Sequence, residues 1–301
     1  MAALGGRPLP AWLAQRERGQ RWGMQLMAWV ARRLGPSAGY AMIYPVCGYF
    51  LACAGSARRS SRQFLSRALG RTARCTEVYR HFLVFAHTLL DRAVLLSGRL
   101  DRFRLDVHGM QAVEAALQER RGLLLLGAHL GSFEVLRCSG IVARNLPLRI
   151  VMYEANAENI GAVLAAINPA IAASVIAGGR ADTALRVREA LDRGEPVGIL
   201  ADRALSGEAQ EDYPFLGAPA AFPRGPFLLA AVLRVPVVLC YGLFIEAGRY
   251  AIHLERIESP AGPGREAAAR ALAARYVQRL EHYARLAPYN WFNFYDFWRR
   301  E

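Results

Sequence analysis

The stretch "GLLLLGAHLGSFEVLR", residues 122–137, places a histidine shortly after a run of leucines and a glutamate a few positions beyond it. A short apolar run bounded by glycine predicts a strand that is buried on both faces. Gly131 permits a sharp turn, and Ser132 is a preferred N-cap residue. The chain is therefore expected to leave the strand at His129 and to begin a helix just before Glu134.

This geometry gives His129 and Glu134 a possible chemical role. In one continuous helix, side chains five positions apart point roughly 140° away from each other, so the two can meet only if the helix starts between them. The first turn of a helix favours an ionised carboxylate. An ionised Glu134 would hold one imidazole nitrogen and leave the other basic, which makes a general base with its orienting partner. The alternative is that His129 caps the strand and Glu134 is a solvated first-turn residue.

Strands and helices alternate on both sides of this stretch. Apolar periodicity predicts a helix over residues 76–97, in which His81 and His87 are interpreted as packed or surface residues, and a closing helix over 265–286. Buried strands are predicted around 123–128, 148–154 and 196–202, and two later strands are joined by Ala247-Gly248, a hairpin signal. The predicted fold class is α/β, with a mainly parallel central sheet covered by helices and an antiparallel edge.

An aromatic tail, "PYNWFNFYDFW" at 288–298, follows the closing helix. Side chains of this type either pack in a core or form part of a lipid-facing rim. The sequence leaves both interpretations open.

Positive charge is concentrated near the N-terminus. The net charge is +13, and all 38 basic residues are arginines, which excludes lysine nucleophiles and Schiff-base chemistry. Residues 1–80 contain 13 arginines against Glu17 and Glu77, which is a net charge of +11. This segment, rather than the rest of the chain, is expected to meet polyanions. No motif that reads nucleic acid accompanies the arginines, so nucleic acid is not an expected partner.

An uncharged stretch, residues 34–57, lies inside this basic segment and has arginines on both sides. Its length approaches the ~20 residues that cross a bilayer, but glycines and Pro45 interrupt it. We therefore expect a helical segment embedded in, or lying on, an anionic membrane surface, with a buried helical hairpin as the alternative. The five cysteines have no metal-site or disulfide spacing, which indicates reduced thiols on the cytoplasmic side.

Several motifs resemble a known family. The stretch "GAHLGSFE" resembles the first motif of the lysophospholipid acyltransferase superfamily, and specifically its lipid A late acyltransferase branch of lauroyl and myristoyl transferases. The stretches "VMYEANAENI" at 151, "GILADRALSG" at 198 and "YPFLGAPAAFPRGPFLLAAVLRVPVV" at 213 are also similar to that branch. The resemblance covers about residues 75–298 and implies that His129 and Glu134 are the catalytic pair. It divides the chain into an N-terminal membrane-anchoring segment, 1–70, and an acyltransferase domain, 71–301.

The resemblance also has gaps. Glu154 follows Tyr153 where the family usually has an arginine, and the third motif is reduced to "ADRALSG". Arg180 or Arg203 is the candidate replacement for the missing arginine. Because Tyr153, Asp202 and Arg203 lie at the ends of predicted strands on one sheet edge, they are the predicted substrate-binding residues.

The implied reaction moves a fatty acyl group from an acyl thioester to a hydroxyl of a glycolipid or other lipid acceptor. Acyl carrier protein is favoured over coenzyme A as donor, and the implied location is the cytoplasmic face of a bacterial inner membrane. No metal and no cofactor is expected, since the acyl thioester is a co-substrate. A non-catalytic lipid-binding relative and a thioesterase are the alternatives.

The basic N-terminal segment generates a prediction about location. The full-length chain should sediment with membranes, and a chain starting near residue 70 should be released at least in part, because it loses most of the excess charge. Centrifugation of a lysate followed by immunoblotting measures both proteins. Full-length protein found wholly in the soluble fraction without detergent contradicts the prediction.

Overall fold

A seven-stranded sheet forms the centre of the computed structural model, which describes residues 36–139, 146–153, 173–204, 208–258 and 264–298. The described strands are β1 (Arg104–His108), β2 (Leu123–Gly127), β3 (Arg149–Tyr153), β4 (Val175–Gly178), β5 (Pro196–Leu200), β6 (Gln210–Phe215), β7 (Ala218–Pro223), β8 (Val237–Glu246) and β9 (Arg249–Ile257). The order in the sheet is β1-β9-β8-β2-β5-β3-β4, and only β8 and β9 pair antiparallel. The predicted α/β fold with a mainly parallel sheet is therefore confirmed.

The sequence predicts an antiparallel pair of strands at the edge of the sheet. In the structure this pair, β8 and β9, lies one strand in from the edge. Strand β1 pairs in parallel with β9 and covers it, so the edge strands are β1 and β4. The hairpin at Ala247-Gly248 correctly identifies the pairing of β8 with β9. It contains no information about a third strand, because β1 comes from a distant part of the chain.

The helices cover both faces of the sheet. They are α1 (Pro36–Cys53), α2 (Gly55–Leu69), α3 (Cys75–Leu96), α4 (Met110–Gln118), α5 (Phe133–Cys138), α6 (Thr183–Asp192), α7 (Gly225–Leu233) and α8 (Arg265–Leu286), with short 3-10 turns at Leu100–Arg102 and Pro288–Asn290. Alternate leucines of β2 lie in the two separate apolar cores that result, Leu124 and Leu126 in one, Leu123 and Leu125 in the other. A strand between two cores must be apolar on both faces, which explains the unbroken run of leucines.

The small hairpin of β6 and β7 was not predicted from the sequence. Its turn residues, Leu216 and Gly217, both have positive φ, at 50° and 80°. A two-residue hairpin turn with positive φ usually carries Asn-Gly or Asp-Gly, so Leu-Gly is a weak signal.

Helices α1 and α2 pack into the larger core. Ile43, Cys47, Phe64 and Leu65 are buried there, while other side chains of α1 remain exposed. No single helix of the described residues is both long and apolar enough to cross a bilayer, whereas Gly39–Cys53 and Gly55–Leu69, bent by 96°, meet that criterion as a pair. Membrane attachment and a domain boundary at residue 70 thus stay predictions. A chain beginning at residue 36 removes only the residues before α1 and keeps this packing, whereas a chain beginning at 70 also loses these buried side chains.

Histidine 81 joins three elements inside this core. Its side chain is fully buried, with Nδ1 2.8 Å from Ser61 Oγ and Nε2 3.0 Å from the carbonyl oxygen of Trp291. A carbonyl only accepts, so Nε2 carries the hydrogen and Nδ1 accepts from the Ser61 hydroxyl. The ring is therefore neutral, and burial lowers the pKa of His81 to about 4. The expectation of a packed histidine is confirmed here.

Protonation of His81 should destabilise the fold. The folded pKa lies below the ~6.5 of an unfolded histidine, so the unfolded state binds the extra proton. The contribution of neutral His81 to the free energy of unfolding should be complete above pH ~6.5. It should decrease as the pH drops from there to about 4, by roughly 3 kcal/mol in all. Urea unfolding at several pH values measures this change in the free energy of unfolding. His81→Gln, which keeps a donor and an acceptor but does not titrate, should lose less, and an equal loss would assign the effect to other groups.

Candidate active site

The turn between β2 and α5 is fixed by close contact with β8. Gly131 has φ of 72°, and a Cβ there would lie 2.0 Å from the carbonyl oxygen of Gly242. The Ser132 N–H donates to that same oxygen at 2.8 Å. The sharp turn predicted at Gly131 is thus confirmed, and its physical cause is that backbone passes against backbone. Ser132 occupies the N-cap position as predicted, but its side chain makes no capping hydrogen bond.

His129 lies immediately beyond the carboxyl end of β2 and is paired with Asp202, which lies beyond the end of β5. Its Nδ1 is 2.8 Å from Asp202 Oδ1, and its backbone N–H donates to Oδ2 at 3.1 Å. The two strands are parallel neighbours in which Gly127 is opposite Leu200. His129 comes two positions after Gly127, and Asp202 comes two positions after Leu200. Parallel pairing therefore brings the imidazole and the carboxylate together.

The Asp202 carboxylate has no exposed surface and receives a third hydrogen bond, from Trp291 Nε1 to Oδ2 at 3.0 Å. Burial by itself would raise the pKa of Asp202. The charge and hydrogen bond of His129, together with Arg203 and the indole, outweigh burial and lower that pKa to about 2. An ionised carboxylate accepts from Nδ1–H, which leaves Nε2 of His129 unprotonated and basic.

The expected pairing of Glu134 with the imidazole of His129 is wrong. Glu134 lies in the first turn of α5 as predicted and is buried, but its Oε1 pairs with Arg92 Nη2 of α3 at 2.8 Å. In the described part of the chain, the hydrogen-bonding partner of His129 Nδ1 is Asp202. The helix start favours an ionised Glu134 for the reason given above, and the cation that compensates it comes from a different helix.

Arg203 lies next to the pair and modifies it electrostatically. Its Nη2 donates to the carbonyl oxygen of Phe292 at 2.7 Å, and its guanidinium lies 5.6 Å from the ring centroid of Tyr295. About 33% of the His129 side chain is exposed, so a substrate can reach it. Desolvation by the surrounding protein and then the positive charge of Arg203 lower the pKa of His129, with a smaller effect of Arg92 in the same direction. The ring is therefore neutral at neutral pH.

The other predicted binding residues have different outcomes. Asp202 is fully buried, so it holds His129 and has no surface with which to bind a substrate, contrary to the role expected for it. Tyr153 ends β3 at the same sheet edge, paired with Gly178 of β4, and its side chain lies outside the described residues, as does Glu154. Arg180 is exposed and lies 3.5 Å from Asp182.

Sequence reasoning missed two residues at this site, Trp291 and Arg92. The aromatic tail was open to two interpretations, and burial of Trp291, Phe292 and Phe297 confirms core packing. The spacing of the tail gave no indication that one indole would reach the carboxylate. Arg92 follows Asp91 on the predicted helix 76–97, and a charged pair inside an apolar helix was the available signal.

The fold and the site together define an α/β protein with a histidine–carboxylate pair at the carboxyl ends of its parallel strands. A buried carboxylate orients a partly exposed, neutral imidazole at the carboxyl edge of a parallel sheet, where α/β proteins bind their ligands. In the described part of the chain, no group of three or more His, Cys, Asp or Glu residues could hold a metal ion.

Comparison with known families gives the particular class. The family model for bacterial lipid A biosynthesis acyltransferases matches residues 96–300. The chain therefore belongs to the bacterial lipid A biosynthesis acyltransferase family, and it is an acyltransferase that acts on a lipid acceptor. Comparison with curated proteins gives no match.

The electrostatic environment of His129 generates a prediction about its titration. Its pKa should lie below ~6.5, and Arg203→Gln should raise it, because the variant removes a nearby positive charge. NMR of protein labelled at histidine Cε1 resolves the six histidines, and the signal lost in His129→Gln assigns the residue. Arg188→Gln, which removes an exposed guanidinium on α6, should leave the midpoint unchanged. A midpoint above that of a free histidine would contradict the assignment of these charges.

Proposed function

We propose that His129 is the general base of acyl transfer to a lipid hydroxyl, with Asp202 as its orienting partner. The observation that carries this proposal is the pairing of Nδ1 with a fully buried carboxylate, which directs the basic Nε2 away from the protein core. The lowered pKa of His129 supports the same role, because a base must be unprotonated at the working pH.

In the proposed reaction, Nε2 accepts the proton of the lipid hydroxyl as its oxygen attacks the thioester carbonyl. A carbon–oxygen bond forms, the carbon–sulfur bond breaks, and the proton held by the imidazole passes to the leaving thiolate. Asp202 stays ionised throughout and stabilises the imidazolium that forms between these two proton transfers. Direct transfer of this kind uses no cysteine nucleophile, no metal and no cofactor besides the acyl thioester.

Arg92 and Arg203 supply positive charge beside the imidazole, where the substrates are proposed to meet. Both act on the imidazole electrostatically, and both are partly accessible. Guanidinium groups suit phosphate, and the phosphopantetheine arm of acyl carrier protein or coenzyme A carries one. The proposed donor is acyl carrier protein, which the resemblance of the sequence motifs implies. Arg203 is the better candidate for the arginine that the sequence lacks after Tyr153, because Arg180 is exposed beside Asp182.

Helix α1 is the proposed contact with the cytoplasmic face of a bacterial inner membrane. Tyr44, Tyr49 and Phe50 are 51%, 63% and 40% exposed, which is unusual for large apolar side chains. Arg58 and Arg59, at the start of α2, are exposed next to them. Aromatic side chains bordered by cations suit an anionic lipid surface. The protein would contact the membrane through this helix and receive its lipid acceptor from the membrane.

A thioesterase and a non-catalytic lipid-binding protein are the alternatives, and turnover distinguishes them. A thioesterase would release free fatty acid equally well without a lipid hydroxyl, because the same imidazole can activate water. A binding protein would consume no thioester under either condition. The proposed transferase consumes acyl thioester in step with the formation of acylated lipid, and parallel assays with acyl carrier protein and coenzyme A thioesters identify the donor.

Substitutions at the pair should lower the rate strongly. His129→Ala should reduce acyl transfer by about 100-fold to 10,000-fold, and Asp202→Asn should have an effect of similar order, because the amide no longer stabilises the imidazolium. The double variant should be little worse than either single one, since the two residues act as a unit. Transfer is measured with radiolabelled acyl thioester.

Two variants serve as controls for this experiment. His108→Ala removes an exposed histidine on β1 and should retain the wild-type rate. Glu134→Gln, which weakens the pair with Arg92, should cost less than Asp202→Asn. If Glu134→Gln abolishes turnover and Asp202→Asn leaves it unchanged, the partner of the imidazole has been assigned to the wrong carboxylate.

A further inference from the structure

Trp291 is the residue of the C-terminal tail that reaches the candidate active site. Its side chain is fully buried, and its Nε1 donates to Asp202 Oδ2 at 3.0 Å. The same oxygen accepts the backbone N–H of His129 at 3.1 Å, while Oδ1 is 2.8 Å from the imidazole Nδ1. The indole therefore holds the carboxylate oxygen that is not used by the ring.

The backbone around Trp291 also holds the turn that carries His129. The Phe292 N–H donates to the carbonyl oxygen of His129 at 2.8 Å, and the Gly131 N–H donates to the carbonyl oxygen of Asn290 at 2.8 Å. Between these two bonds, Leu130 and Trp291 form an antiparallel bridge. Three residues of the tail thus run alongside the three residues of the turn, so the position of His129 depends on a segment about 160 residues away in sequence.

The indole has little freedom to move. Phe64, Phe215 and Phe297 contact it edge to face, with ring centroids 4.8, 5.2 and 4.8 Å away. The backbone carbonyl oxygen of Trp291 accepts a hydrogen bond from His81 Nε2 at 3.0 Å. A donor that is locked by packing restricts the rotation of the carboxylate it binds, which is what a supporting residue of a catalytic site must do.

We infer that Trp291 is a positioning residue for acyl transfer: its indole N–H fixes Asp202 so that Oδ1 stays on His129 Nδ1, and the C-terminal tail is in this way part of the active site. The inference rests on the proposed function of His129 and Asp202. Without the N–H, Oδ2 keeps only the backbone donor of His129, so the carboxylate stays beside the ring but its orientation is less restricted.

Loss of this donor should also change the affinity of the pair for a proton. The indole stabilises the ionised carboxylate, and its removal leaves negative charge less compensated beside the imidazole. The other charges acting on the ring, Arg203 beyond β5 and Arg92 on α3, stay in place. The titration of His129 should therefore move to higher pH when the N–H is removed.

The test compares Trp291→Phe with Trp298→Phe in the full-length protein. Trp298 belongs to the same aromatic cluster, but its Nε1 donates to the carbonyl oxygen of Phe215 at 3.3 Å and not to Asp202. Trp291→Phe should lower kcat by about tenfold or more, which is the order found when metal-bound histidines lose a supporting hydrogen bond. KM for both substrates should be unchanged, and the acid limb of the rate profile should shift upward. Trp298→Phe should have the same kcat, KM values and acid limb as the wild type.

NMR titration of His129 tests the positioning role of Trp291 without an assay of acyl transfer. A higher midpoint in Trp291→Phe than in the wild type and Trp298→Phe supports the positioning role even if the substrate or the proposed activity is wrong. Loss of turnover in His129→Ala tests the proposed activity separately. Wild-type kcat and an unshifted His129 midpoint in Trp291→Phe would overturn the inference.

A second variant covers the case in which phenylalanine leaves a cavity that unfolds the protein. Incorporation of β-(3-benzothienyl)alanine at position 291 replaces the indole N–H by sulfur and keeps the shape of the ring. The same fall in kcat and the same upward shift should follow. A folded protein with this side chain and wild-type values for both would also overturn the inference.

Discussion

The buried carboxylate of Asp202 is stabilised by three N–H donors, and much of the surrounding structure serves to place these donors. A charge without access to water is stable only if hydrogen bonds and opposite charge replace its hydration. The donors are the imidazole and backbone of His129 and the indole of Trp291. Because one carboxylate binds all three, the ionised state of Asp202, the orientation of the imidazole and the docking of the tail are parts of one interaction.

This interaction links elements that are far apart in sequence. His81 of α3 accepts from Ser61 of α2 and donates to the carbonyl oxygen of Trp291, whose ring then donates to Asp202 beyond β5. Each member of this series is buried, and each is held by its neighbours. The exposed part of the series is His129, at its end. Buried and hydrogen-bonded neighbours of this kind hold the supporting groups in place around the exposed imidazole.

The pair of Glu134 and Arg92 illustrates how a local argument can be right about a residue and wrong about its partner. The start of α5 favours an ionised glutamate, and the glutamate is indeed buried there with a compensating charge. Residues 129–134 themselves contain no cation, and the nearest one along the chain is Arg137, three positions after Glu134 in α5. Arg92, on a helix that precedes β1, could enter the argument only once the packing of α3 against α5 was known.

Sequence patterns alone predict the α/β fold, a helix at 76–97 that is found at Cys75–Leu96, strands that begin within one residue of the observed ones at 123, 149 and 196, and His129 just beyond a strand end. These features follow from local periodicity, from glycine at the turn and from an apolar run long enough for one buried strand. Only the folded arrangement shows which carboxylate meets the imidazole, where β1 joins the sheet and what the aromatic tail contacts. Each of these depends on which strands become neighbours and on how a distant segment docks. Propensity and spacing contain no such information, because the free energy that selects these contacts comes from burial shared between segments far apart in the chain.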